Sequence, residues 1–387
     1  MRLHRSPWAI ALIAGVLACP MPSLAHVKWF EPYEISTKPV PMADALSEPA
    51  FWIAAALVLA LFLATSIVER TSPGRIITVC LDRLTAPLLA RADQFIVCIM
   101  GGFFVALFAT ARTILTPELL TDARWVGWLQ LLIAMCLFFR RLYPFAAAGI
   151  IGLWLYALVE YDLFHMLDYV TLGFGMACYL VLASLPDERW RRWRFDALRL
   201  GIALALMWSS LEKFNYPGWF LPLLEKKPYL ALGLPFRTFI TMSGVAEFTL
   251  GLGLLWSPLV RRLSALMLFI IMLTAVYPFG RVDLIGHAMI LGTLILVIAG
   301  AGVSPRPMPH LAPALARVPV GLAIAFVAFI LGHRGVHDFI YGDDQPAWLS
   351  DQRSGTIIRP GDVLPPHGHL FDAEPDDDDA TTAPNHG

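Results

Sequence analysis

The sequence predicts an all-α, polytopic membrane protein with about ten transmembrane helices, eight of them arranged as two parallel four-helix repeats. Three observations carry this. Hydrophobic side chains make up 57% of the 387 residues and charged ones only 15%, too apolar a balance for a soluble domain. Apolar runs recur near the ~20 residues that cross a hydrocarbon core of about 30 Å. Arginines gather in alternate connections, the pattern expected of segments retained inside. The formal net charge of −1 therefore conceals a segregation of charge that sets topology. The partner it points to is the lipid bilayer, with no nucleic-acid footprint.

At the start, Arg2, His4 and Arg5 precede a short apolar stretch from Trp8 to Ala18, and Ser23-Leu24-Ala25 is a small-x-small cleavage site. Residues 1–25 read as a secretory signal peptide. A lipoprotein site at Cys19 competes, but Leu17 stands where a smaller residue is usual. Cleavage after Ala25 leaves His26 as the first mature residue. Residues 26–49, with Pro39, Pro41 and Pro49, read as an extended exported segment.

Spans are expected at 50–68, 94–112, 125–139, 142–160, 166–184, 196–211, 237–256, 262–280, 284–302 and 316–333. With His26 exported, Arg70, Arg75, Arg83, Arg91, Arg140, Arg141, Arg189, Arg191, Arg192, Arg194, Arg261, Arg262, Arg306 and Arg317 all fall inside. An even number of spans returns residues 341–387, an acidic tail ending near Asp376 to Asp379, to the outside. The expected location is a bacterial inner membrane with both termini in the periplasm. Cys80, Cys98, Cys136 and Cys178 fall inside or in the inner halves of spans, so exported disulfides are not expected. No C-x-x-C pair occurs, which excludes covalent c-type haem.

An internal repeat is visible. Arg91-Ala92-Asp93 parallels Arg194-Phe195-Asp196, Arg140-Arg141-Leu142 parallels Arg261-Arg262-Leu263, Asp162 aligns with Asp283, and His165 falls within one residue of His287. Unit A (94–184) and unit B (194–302) are two copies of one four-helix unit. Because each crosses an even number of times, the copies run parallel. Unit B adds an excursion from Glu212 to Phe236, rich in Pro and aromatics, which suits an interfacial or re-entrant segment.

Unit B resembles the DoxX family of four-helix membrane proteins. The resemblance rests on Arg199-Leu200-Gly201, on Glu212-Lys213, and on Gly244-x-x-Glu247-x-x-x-Gly251, over about 110 residues. It implies a redox-associated membrane subunit, as in members that couple thiosulfate oxidation to quinone reduction, with an oxidoreductase as partner. The duplication, the exported N-terminus, the long outer loop and the acidic tail depart from the family pattern.

Glu247 is the sharpest single signal, since a carboxyl at mid-helix must face the bundle and meet a donor. It reads either as a proton carrier or quinone-contacting acid, or as a helix–helix clamp with Lys213, Arg237 or a hydroxyl as partner. Glu212, Lys213 and Glu247 are thus the candidate catalytic residues. Asp283 and His287 share a helical face at i, i+4, and Asp162, His165 and Asp168 do so at three-residue spacing. Two imidazoles with carboxylates could bind a cofactor, as a divalent metal or a b-type haem, or relay protons; the competing reading is helix capping or headgroup contact. His333 and His337 have helical ligand spacing, and a mature His26 offers amine and imidazole to one Cu(II) ion.

No phosphate-cradling glycine loop, dinucleotide fingerprint or nucleophile elbow occurs, which speaks against ATP-driven or hydrolytic chemistry. Three functions stay open: a quinone-linked redox subunit, exported-side copper handling, and a scaffold for other membrane proteins.

Overall fold

The structure is a computed structural model that describes residues 33–34, 37–110, 112–303, 311–342 and 357–358. The signal peptide, His26 and the acidic run at 376–379 lie outside the described residues. Helices dominate: α1 (Met42–Ser47), α2 (Pro49–Arg70), α3 (Ser72–Leu89), α4 (Ala92–Thr110), α5 (Arg124–Cys136), α6 (Tyr143–Glu160), α7 (Leu163–Met166), α8 (Met176–Ser184), α9 (Glu188–Arg191), α10 (Arg194–Ser210), α11 (Glu212–Asn215), α12 (Leu221–Lys226), α13 (Phe236–Gly253), α14 (Pro258–Ala299) and α15 (Leu311–Tyr341). A two-residue strand β1 (Tyr33–Glu34) pairs antiparallel with β4 (Ile357–Ile358), which puts the N- and C-terminal segments on one side. A small hairpin, β2 (Thr113–Ile114) and β3 (Thr116–Leu120), joins α4 to α5.

The chain is a multi-pass membrane protein. Each expected span falls on helix, but five described helices are long and apolar enough to cross a bilayer, and six if the bent pair at 163–184 is one span. Part of the difference from ten has physical reasons. One of the five, α14, doubles back at Gly280, whose φ of 72° and ψ of −149° break the helix beside Pro278. Arg262 Nη2, near its start, donates to the carbonyl of Ala299, at its end, over 3.2 Å, so its two halves are antiparallel. The 166–184 segment bends by 51° where a π-turn at Thr171–Gly175 interrupts it. At 13 residues α5 reaches about 20 Å, less than a hydrocarbon core.

Two expectations about connections also change. The loop after the first span is an 18-residue amphipathic helix, α3, capped by Thr71, whose hydroxyl accepts from Gly74 N at 3.2 Å. Residues 39–48 are not wholly extended: Val40 N donates to Asn215 O at 2.8 Å, and α1 follows.

The helices of the two expected units pack in the same order. In unit A, α4, α5, α6 and α8 pack in sequence; in unit B, α10, α13 and the halves of α14 do the same. The units then brace each other reciprocally. A Cβ on Gly292, in the second half of α14, would lie 3.1 Å from Ile99 of α4, and one on Gly201 of α10 would lie 3.1 Å from Gly175 Cα, next to α8. Arginines at the start of each unit's third helix cap the end of its last: Arg140 donates to Ala183 O and Leu185 O at 2.7 and 2.9 Å, and Arg262 to Ala299 O. Only 17% of the apolar window of α15 is buried by protein against 61% for α14, so α14 is central and α15 lies against lipid.

Candidate functional site

One end of the bundle is rich in arginine, and the other carries His165, His287, His333 and His337. The histidine-bearing end holds three buried polar clusters.

In the first, glycines let two helices close on a charge pair. Positions 244, 247 and 251 share one face of α13. A Cβ at Gly244 would meet Phe214 Cζ at 2.9 Å and Lys213 Cβ at 3.0 Å, and one at Gly251 would meet Met207 Cγ at 3.2 Å. Glu247 Oε2 thereby accepts from Lys213 Nζ at 2.6 Å, with side chains only 8% (Lys213) and 4% (Glu247) exposed. The ammonium also stands 5.1 Å from the centroid of Phe220. Arg237, the other expected partner, pairs with Glu48 instead. Glu212 is buried at the start of α11, and its carbonyl accepts from Tyr216 N at 2.7 Å.

The second cluster is built on α7. Asp162 sits at a φ of 135°, a backbone region unfavourable for a side chain, and is held there by two bonds. Its Oδ1 accepts from His165 N at 2.9 Å, capping α7, and its Oδ2 accepts from the Tyr341 hydroxyl of α15. His165 Nε2 lies 3.5 Å from Glu118 Oε1 of β3, both side chains at most 1% exposed. The Tyr169 hydroxyl donates to the other oxygen of Glu118. The ring of Tyr161 stacks on His165 at 5.3 Å between centroids, and its hydroxyl donates to Leu120 O at 2.9 Å, fixing β3. Burial pushes the Tyr161 hydroxyl well above the ordinary tyrosine range, so it remains protonated. Asp168 is buried nearby in the chain.

The third is within α14, against which β3 packs. His287 Nδ1 stands 3.1 Å from Asp283 Oδ2 and 3.0 Å from Asp283 O, with both side chains fully buried. Carbonyl and carboxylate together favour the proton on Nδ1, which makes Nε2 the basic nitrogen. The two expected repeats thus carry one buried imidazole–carboxylate pair each. Their acids come from different sources, a hairpin in unit A and the preceding helical turn in unit B.

His333 and His337 lie in an aromatic box. Phe164, on the turn that carries His165, is 4.8 Å from His333 and 5.2 Å from His337 between centroids; Trp208 is 4.7 Å from His333, and Tyr216 is 5.4 Å from His337. Arg334 Nε donates to Asn215 Oδ1 at 3.0 Å, which turns the Asn215 amide nitrogen toward His333 Nδ1, also at 3.0 Å. His333 Nδ1 is then an acceptor and its Nε2 carries the proton. The Asn215 amide engages one ring nitrogen of His333, and among the described residues no group of three or more His, Cys, Asp or Glu is placed to hold a metal ion.

Of the residues singled out in the sequence, the structure brings together Lys213 with Glu247, Asp162 with His165, Asp283 with His287, and His333 with His337. It does not join Glu247 to His287. Glu118, Tyr161, Tyr169 and Asn215 escaped the sequence reading. The one signal for Glu118 is its place in unit A's first connection, which matches that of Glu212-Lys213 in unit B. No family model matches the chain, and no curated protein or solved structure matches it either.

Proposed function

We propose that this chain is a redox-associated subunit of a bacterial inner membrane that passes protons to or from a quinone at its histidine-bearing end. That end faces the periplasm, as do both termini, and the arginine-rich end faces the cytoplasm. The observation that carries the reading is the repeated pair, His165 with Glu118 and His287 with Asp283, each buried where a bilayer disfavours polar groups. Oxidation of a quinol breaks two O–H bonds and releases two protons and two electrons. One proton goes to each pair, and the electrons go to a partner oxidoreductase. The resemblance of unit B to DoxX proteins agrees with this role. Lys213 and Glu247 act as the clamp that holds α13 on α10 and α11.

The test uses membranes of the source organism lacking the chain, complemented with wild type or variants and supplied with a short-chain quinol. The double variant His165→Gln/His287→Gln is expected to slow quinol oxidation on the order of a hundredfold, the lower range for loss of a general base. Unchanged turnover, with the variant present at wild-type level, overturns the proposal.

A further inference from the structure

At the arginine-rich end, a cleft of about 340 Å³ opens among the starts of α4, α6 and α10 and the ends of α8 and α9. Its wall carries Arg140, Arg191, Arg194, Tyr143, Asp93 and Glu188. Three guanidiniums face two carboxylates, which leaves one positive charge. The carboxylates are the more exposed partners, Asp93 at 50% and Glu188 at 65%. Asp93 binds Arg194 bidentately at 2.7 and 3.0 Å, and Glu188 pairs with Arg191. Arg140 donates to carbonyls only and has no carboxylate among its described ion pairs. Next to the lining residues in the chain stand exposed aromatics, Phe139 and Phe145 flanking Arg140 and Tyr143, and Trp190 and Trp193 flanking Arg191 and Arg194. The Arg192 guanidinium lies 5.1 Å over the Trp193 ring. Exposed indoles beside arginines at helix ends mark the level of lipid headgroups.

From this arrangement we propose that the cleft binds a singly charged phosphate group, presented by the headgroup of an anionic phospholipid in the adjoining leaflet. The one surplus positive charge matches the single negative charge of a phosphodiester, and guanidinium forks suit its oxygens. The Tyr143 hydroxyl adds a donor, and the exposed aromatics accommodate the glycerol and upper acyl carbons. A free phosphate would meet the same donors but would leave those aromatics without an apolar partner. This site is independent of the quinone reading, because it lies at the opposite end of the bundle.

The full chain, purified in detergent, is titrated with phosphatidylglycerol and separately with phosphatidylethanolamine, and adducts are counted by native mass spectrometry. Phosphatidylglycerol is expected to bind at least several-fold more tightly. Arg191→Gln/Tyr143→Phe should weaken it roughly tenfold, whereas Arg75→Gln/Arg83→Gln, which removes two charges from α3 at the same end, should not. Arg140 is left intact because it caps α8. Adding inorganic phosphate at tens of millimolar separates the sources: persistence of the lipid adduct supports the headgroup, and its displacement supports the same cleft serving free phosphate. Equal retention of the two lipids by wild type overturns the proposal. So does an unweakened cleft variant, or an equal loss in the α3 variant.

Discussion

Lys213 and Glu247 allow the sharpest test of how this bundle is held together. Replacing Lys213 by Met keeps an unbranched side chain of similar reach but leaves the Glu247 carboxylate without its cation, 4% exposed and inside the bundle. Breaking a pair of this kind by removing one partner costs about 3–5 kcal/mol, because the remaining charge cannot regain its hydration. A pair on a wet surface would lose only about 0.2–1 kcal/mol, so the two environments predict results several-fold apart. Glu247→Leu should cost a similar amount, since it strands the ammonium. The double variant Lys213→Met/Glu247→Leu removes both charges and should return to within about 1 kcal/mol of wild type. Unfolding in mixed micelles by increasing denaturing detergent, followed by tryptophan fluorescence, reads these differences; the chain has 12 tryptophans. Single variants that each lose less than about 1 kcal/mol, or a double variant as unstable as the worse single, would refute the buried-pair reasoning.

Gly244→Ala should destabilise by about 1–3 kcal/mol through overpacking, since its Cβ would press on Phe214 and Lys213; the same unfolding assay reads it. Gly201→Val meets the backbone of Gly175 and Thr171, which cannot rotate away, so it should loosen unit A from unit B and expose the junction to limited proteolysis. Asp162→Ala removes the cap of α7 and the acceptor of Tyr341; a loss of about 1 kcal/mol or more is expected, with Asp162→Asn retaining most of it. Tyr161 sets an alkaline limit. Its hydroxyl titrates above the unfolded value of about 10, so stability is complete below that pH and falls above it, by about 1.4 kcal/mol per pH unit for this group. Tyr161→Phe should flatten that decline in a pH series of unfolding measurements.

Local composition reveals where the helices run, because hydropathy and arginine placement are properties of short windows. It also reveals the face at positions 244, 247 and 251, since a carboxyl on a glycine-bearing helical stripe needs a partner on the next helix. The partner of His165 was out of reach. Glu118 lies in the short connection between two expected spans, and only the fold-back of β2 and β3 carries it to α7. The two histidines meet their acids differently, His165 facing Glu118 and His287 facing Asp283, because sequence alignment relates chain positions and cannot say which acid reaches each ring. The amphipathic α3 was hidden by its basic residues, which dominated the reading of that segment as an inside loop.

The reciprocal bracing of the two repeats has an evolutionary corollary. The first helix of each copy packs against the last elements of the other, which is the arrangement of a symmetric dimer whose subunits have been spliced end to end. Splicing removes the obligation that both halves carry identical side chains. The histidines of the two halves accordingly meet their acids by different routes, one from a hairpin and the other from its own preceding turn.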